Sequence, residues 1–121
     1  MKALLDTNIL IDYLQGIDPA RKLLKEVDDH AISIITWMEV LVGAGDECAH
    51  EALEAFLNTF VVLPLSDPIA RRAVELRRRH RIRLPDAIIW ATADVHQRVL
   101  ITRNTRDFPR QPGVFHPYRL T

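Results

Sequence analysis

Three carboxylates stand in similar local settings far apart in the chain. Asp6 ends the apolar run Ala3-Leu4-Leu5 and opens Asp6-Thr7-Asn8-Ile9-Leu10. Glu39 follows a second run, Ala31 to Ile35, through Thr36-Trp37-Met38-Glu39-Val40-Leu41. Asp86 lies in Leu84-Pro85-Asp86-Ala87-Ile88-Ile89, at the start of a third. Taken singly, each has a structural explanation. Asp6 suits a helix N-cap, Thr36 and Glu39 fit the capping box T-x-x-E, and Asp86 sits where a helix macrodipole welcomes negative charge. Taken together they point to chemistry. Carboxylates converging to about 5 Å repel by roughly 3 kcal/mol per pair at an effective dielectric near 20, a cost that capping does not require. A divalent cation reverses the sign. Hard Mg²⁺ or Mn²⁺ takes oxygen ligands and keeps several waters, polarises a phosphoryl oxygen and makes a bound water more acidic.

A further ligand is available in Thr102-Arg103-Asn104-Thr105-Arg106-Asp107-Phe108. Asn104 could bind metal or water through its carbonyl, and Asp107 would bring charge. The alternative is a turn, with Asn104 tolerating left-handed backbone; both readings stand. Four other acids read as structural. Asp12 has no evident chemical role, Asp18 and Asp67 precede proline as helix caps, and Asp94 can pair with Arg98 one turn on.

Positioning these residues calls for an α/β frame. Lys2–Leu5 reads as a buried strand and Thr7–Leu14 as a helix closed by Gln15-Gly16. Asp18-Pro19 starts a second helix. The run 31–35 is β-branched and apolar, hence a strand; 36–44 and 46–59 read as helices, with Gly43 and Gly45 between them. Strand-like 60–65 precedes a helix from Asp67-Pro68 to about Arg79. The segment 85–97 is helical and apolar on most sides, so it should be buried between layers. Val99–Thr102 is a fourth strand and Val114–His116 a candidate fifth. Strands alternating with helices predict a single three-layer α/β/α domain over 1–121, with a mostly parallel sheet of four to five strands. Ligands of such folds bind where strand ends gather.

The net charge is zero, but the halves differ: residues 1–60 carry 11 acids and 4 Lys/Arg, residues 61–121 carry 5 acids and 12. Thirteen of the sixteen bases are Arg, seven of them between Arg71 and Arg83. Guanidinium forks suit phosphate or carboxylate, so a polyanion or an acidic partner is expected. The alternative for this group is a solvated helix face. Arg103, Arg106 and Arg110 are expected to lie nearer the proposed acids and to contact a nucleic-acid backbone. One cysteine, Cys48, excludes an intrachain disulfide and any zinc spacing. The five His share no metal spacing, and Trp37 and Trp90 read as core. Asp6 interrupts the N-terminus too early for a signal peptide, and no apolar run approaches a membrane span. A cytoplasmic protein is expected.

Four blocks of sequence, in order, resemble PIN domains, and most closely the toxin ribonucleases of VapBC-type toxin–antitoxin pairs. They are Leu4 to Leu10, Ser33 to Val40, Leu84 to Ala93 and Leu100 to Phe108. The resemblance implies that Asp6, Glu39 and Asp86 are catalytic acids centred on Mg²⁺, with Thr7 and Asn8 as polar helpers beside them. It places Asn104 where many relatives have an acid, with Asp107 as the nearest candidate. It also implies an RNA substrate, a homodimer, and a small VapB-type antitoxin that blocks the acidic pocket, often with an Arg. Other functions fit less well. An aspartyl phosphotransfer domain of haloacid-dehalogenase type wants a second Asp where Asn8 stands, and a receiver domain wants a late lysine, whereas the lysines are Lys2, Lys22 and Lys25. The four glycines form no dinucleotide motif. A non-catalytic PIN-like binding module is the remaining alternative; retention of all three acids argues against it.

Overall fold

A computed structural model describes residues 1–120. In chain order the elements are β1 (Lys2–Leu5), α1 (Thr7–Leu14), α2 (Asp18–Glu26), β2 (Asp29–Ser33), α3 (Ile34–Val42), α4 (Glu47–Leu57), β3 (Val61–Leu63), α5 (Asp67–His80), α6 (Leu84–Val95), β4 (Val99–Ile101) and β5 (Val114–Phe115). The five strands form one sheet in the order β3-β2-β1-β4-β5, and every pairing is parallel. The expected three-layer α/β/α architecture is the one that forms.

The layers follow from the two-residue period of a strand. Ala3, Leu5, Ile32 and Ile101 face a core shared with Ile9, Leu10, Val40, Leu57 and Phe60. Leu4, Ala31 and Leu100 face the opposite core, with Ile69, Leu76, Ile89, Trp90 and Phe108. Burial on both faces explains why β1 reads as a continuous apolar run rather than an alternating one. Each fully buried Leu or Ile contributes about 1.5–3 kcal/mol. Helix α6 lies close on the sheet because Ala87, Ala91 and Ala93, all fully buried, keep its inner face small. Trp90 meets Phe108 edge-on at 5.6 Å. No helix among the described residues is long and apolar enough to cross a membrane.

Several helix starts differ from the sequence-based expectation by one or two residues, and at α3 the reason is a cap. β2 ends at Ser33, not Ile35, because the Ser33 hydroxyl accepts the Ile35 N–H at 3.0 Å and opens α3 there. Thr36 is therefore inside the helix and the Thr36–Glu39 capping box does not form. Ser33→Ala is expected to cost about 1 kcal/mol, read as a lower urea midpoint at unchanged slope. Asp18 and Asp67 are first helical residues rather than caps; Ile17 and Ser66 hold those positions. Asp94 pairs with Arg72 of α5 at 3.0 Å, not with Arg98. Helix α6 stops at Val95, and Arg98, beyond a left-handed Gln97, pairs with Asp29 at 2.8 Å.

Two features of topology build the site. The chain runs from β1 outward to β2 and β3, then returns to the other side of β1 for β4 and β5. Connections leave the β1 end in opposite directions and open a crevice there. The corner between α5 and α6 supplies the other wall. Arg81 closes α5 in the left-handed region, φ 54, the Arg77 guanidinium holds the Ile82 carbonyl, and buried Ile82 anchors the turn. Helix α6 then starts with its first turn at the crevice.

Candidate active site

Asp6 occupies the crevice because the sheet ends there. Its backbone N–H donates to the Ile101 carbonyl at 2.9 Å, extending the β1–β4 ladder by one residue. The register that pairs Leu5 with Ile101 brings Thr102 alongside, and the Thr102 hydroxyl donates to Asp6 Oδ2 at 2.7 Å. Oδ1 accepts the Thr7 N–H at 2.8 Å, capping α1, and the Asn8 amide donates to Oδ2 at 3.2 Å. The Asn8 carbonyl in turn accepts the Arg103 N–H at 3.2 Å. Burial pushes the Asp6 carboxyl up to about 6; the bonds from Thr102 and Thr7 pull down, while Asp86 and Glu39 add to the rise. Donors hold this carboxylate in place, and among the described residues no Lys or Arg side chain is paired with it.

Glu39 projects from the exposed side of α3. The Thr7 hydroxyl donates to its Oε1 at 2.6 Å and lies 3.0 Å from the Thr36 hydroxyl. Asp86 is the third residue of α6 and is buried. Burial raises its carboxyl above the usual range; Arg83 opposes the rise, and Asp107 and Glu39 add to it. Asp6, Thr7, Glu39, Asp86, Asn104 and Arg83 all line one cleft of about 310 Å³. Three acids from three separate elements thus share a cleft, and the charge of Glu39 adds to the proton affinity of both buried aspartates.

The remaining candidates divide. Asn104 reaches the cleft, yet its amide donates to Asp107 Oδ2 at 3.0 Å and its carbonyl accepts the Asp107 N–H at 3.1 Å. The pair builds the expected turn and borders the acids at the same time. Arg106 and Arg110 are exposed. Arg103 is committed elsewhere: Nε and a terminal nitrogen bond the two oxygens of Asp12 at 2.7 and 3.0 Å. Asp12, read from sequence as unremarkable, is only 2% exposed and also accepts the Tyr118 hydroxyl at 2.8 Å. Sequence reasoning also gave no role to Thr102 or to Arg83 individually. The register of β1 against β4 is the signal that would have singled out Thr102.

Among the described residues no three Asp, Glu, His or Cys side chains close around a point as a metal cage. The three acids offer carboxylate oxygens to the cleft, Thr7, Asn8 and Asn104 add neutral polar groups, and Arg83 stands on the same lining. That set fits a hard cation that keeps part of its water shell, and not a tightly enclosed thiolate or imidazole metal.

This architecture has relatives. The PIN domain sequence profile matches residues 3–114. The chain belongs to the PIN-domain family. Among curated PIN relatives, Ribonuclease VapC19 of Mycobacterium tuberculosis is 37% identical over 124 residues, covering 95% of this chain and 98% of that protein. Among solved structures, a toxin–antitoxin complex from Klebsiella pneumoniae contains a chain 48% identical, with a TM-score of 0.93, covering 98% of this PIN domain and 100% of that chain. FitAcB from Neisseria gonorrhoeae is 26% identical with a TM-score of 0.80, covering 98% and 99%.

Proposed function

We propose that this PIN domain is the toxin of a type II toxin–antitoxin pair, an endoribonuclease that hydrolyses RNA phosphodiester bonds with a divalent metal. The observation that carries the reading is the convergence of Asp6, Glu39 and Asp86 on one cleft. Relatives named as ribonucleases and a neighbour solved as a toxin–antitoxin complex support the substrate class and the partner.

Asp6 and Asp86 are the buried acids that would hold the cation. Mg²⁺, or Mn²⁺ in its place, would supply Lewis acidity at a phosphoryl oxygen and make the attacking water more acidic. Thr102, Asn8 and the Thr7 N–H keep Asp6 aimed into the cleft. Thr7 fixes one oxygen of Glu39, leaving the other to orient the attacking water and accept its proton. Water adds to phosphorus as the bond to the leaving oxygen breaks in line. Asn104 and Asp107 border this centre, and the charge of Asp107 adds to it. Exposed Arg106 and Arg110 would hold the RNA backbone, so binding should weaken steeply with salt.

A small VapB-type antitoxin fits the same surface. Ile11, Leu14, Met38 and Val42 are 40%, 40%, 44% and 85% exposed on α1 and α3, and an arginine offered by such a partner would neutralise the cleft. A homodimer belongs to the same reading. Purified protein incubated with total RNA should yield fragments in MgCl₂ or MnCl₂. Cleavage should stop with EDTA and return when the metal is restored. Intact RNA under all conditions, with no antitoxin bound, overturns the reading.

A further inference from the structure

Seven arginines lie between Arg71 and Arg83, and the structure separates one from the rest. Arg71 is bonded to Asp67 at 2.8 Å, Arg72 to Glu75 and Asp94 at 2.9 and 3.0 Å, and Arg77 to the Ile82 carbonyl. Arg83 alone of the seven lines the carboxylate cleft. Its Nε stands 3.5 Å from Asp86 Oδ2, at the outer limit of a hydrogen bond, and its side chain is 78% exposed. The fork is at the mouth of the acid pocket, and its hold on Asp86 is weak.

Arg83 is also a poor choice for the fold. It is the N-cap of α6 and makes no side-chain cap bond, in a position where Ser, Thr, Asp or Asn would satisfy a free N–H. Its charge lies at the positive end of the helix macrodipole, where cations are disfavoured. Its pair with buried Asp86 is long, and the Arg83 side of it is 78% exposed, so water screens it and it returns little stability. A residue that breaks local rules without structural compensation marks a functional position.

Resting on the nuclease reading, we infer that Arg83 is a substrate-binding catalytic residue, the arginine that engages the scissile phosphate of RNA in this cleft. In the free protein its guanidinium leans on Asp86. When RNA enters, the fork turns to the phosphate oxygens, a planar bidentate match, and stabilises the charge that develops as the phosphorus–oxygen bond breaks. Releasing Asp86 at that moment would leave its carboxylate free to hold a cation. Arg83 therefore has two opposed effects: it weakens cation binding in the absence of RNA and strengthens turnover in its presence.

That opposition supplies the test, with Arg83→Ser and Arg83→Lys compared with wild type. Thermal melting without metal should show Arg83→Ser at least as stable as wild type, because serine caps α6. Calorimetric titration with MgCl₂ alone should show tighter cation binding by Arg83→Ser. Cleavage of total RNA in saturating MgCl₂ should fall about 100-fold, with Arg83→Lys in between because lysine keeps the charge and loses the fork. Cleavage by Arg83→Ser at the wild-type rate overturns the proposal, as does cation binding no tighter than wild type. A loss of cleavage that merely tracks a fall in melting temperature also overturns it. Wild-type protein that leaves RNA intact would instead remove the nuclease reading itself, so the two failures are distinguishable.

Discussion

Asp6→Asn is expected to reduce RNA cleavage by about 1,000-fold or more, leave the fold intact, and make the metal-free protein more stable at neutral pH. The two effects have one origin. Asp6 is 4% exposed, and its carboxyl is held up to about 6, first by burial and then by Asp86 and Glu39 against the opposing hydrogen bonds. The folded chain therefore binds this proton more tightly than the unfolded chain, whose aspartate titrates near 3.8. Stability from this group is fully present below about pH 4, is lost as pH rises from about 4 to 6, and stays lost above. The difference is roughly 3 kcal/mol at most. Asparagine keeps the Thr7 N–H bond but turns an NH₂ toward Asn8 and Thr102, which offsets part of the gain. A net increase of about 1–2 kcal/mol at pH 7 is expected, with a flatter pH profile of urea unfolding in EDTA. Added MgCl₂ should stabilise wild type and not the variant. Undiminished metal-dependent cleavage by Asp6→Asn would remove the acid from the chemistry, and a pH profile identical to wild type would remove it from the energetics.

Asp12→Ala is expected to be the most destabilising single change in the polar set. Asp12 accepts both forks of Arg103 and the hydroxyl of Tyr118, joining α1, the loop after β4 and the C-terminal segment. Burial and the bond to Asp12 raise the Tyr118 phenol above its ordinary range. Removing one partner of a buried pair leaves the other desolvated and unpaired, typically at 3–5 kcal/mol. Because the Arg103 side chain is 30% exposed, water recovers part of this, and about 2–4 kcal/mol is expected. For a chain of this size that is a fall of roughly 10 °C in Tm. The double change Asp12→Leu with Arg103→Met should cost less than the sum of its parts, since no charge is left stranded. Simple additivity would show that the pair is not coupled. Because the Arg103 N–H also orients Asn8, Asp12→Ala should loosen the donors around Asp6 as well. Arg103 thus touches the site through its backbone N–H, while its guanidinium is held by Asp12.

Much of this was legible in the chain. β1 and α1 were readable because Leu4 and Leu5 are buried on opposite faces and Asp6 stops the run with a side chain that caps the next helix. Helix α6 was readable because apolar residues surround it on most sides. The misplaced elements share a cause. Thr36 with Glu39 matched a capping box, yet Ser33 won the cap because the strand pairing with β3 ends there, a tertiary fact. Asp94 and Arg98 were spaced for a helical pair, but the helix stops before Arg98. Asp12 seemed inert because its partners are 91 and 106 residues away.

The sequence by itself determined the α/β class, the order of elements and the three acids, because local periodicity and capping chemistry act over a few residues. Only the tertiary structure decided which polar groups serve those acids. The parallel register of β1 and β4 put Thr102 on Asp6, the left-handed stop at Arg81 delivered Arg83 and Asp86 to the same crevice, and packing of α3 against α1 joined Thr7 to Glu39. Such contacts depend on the relative placement of elements, which no window of neighbouring residues contains.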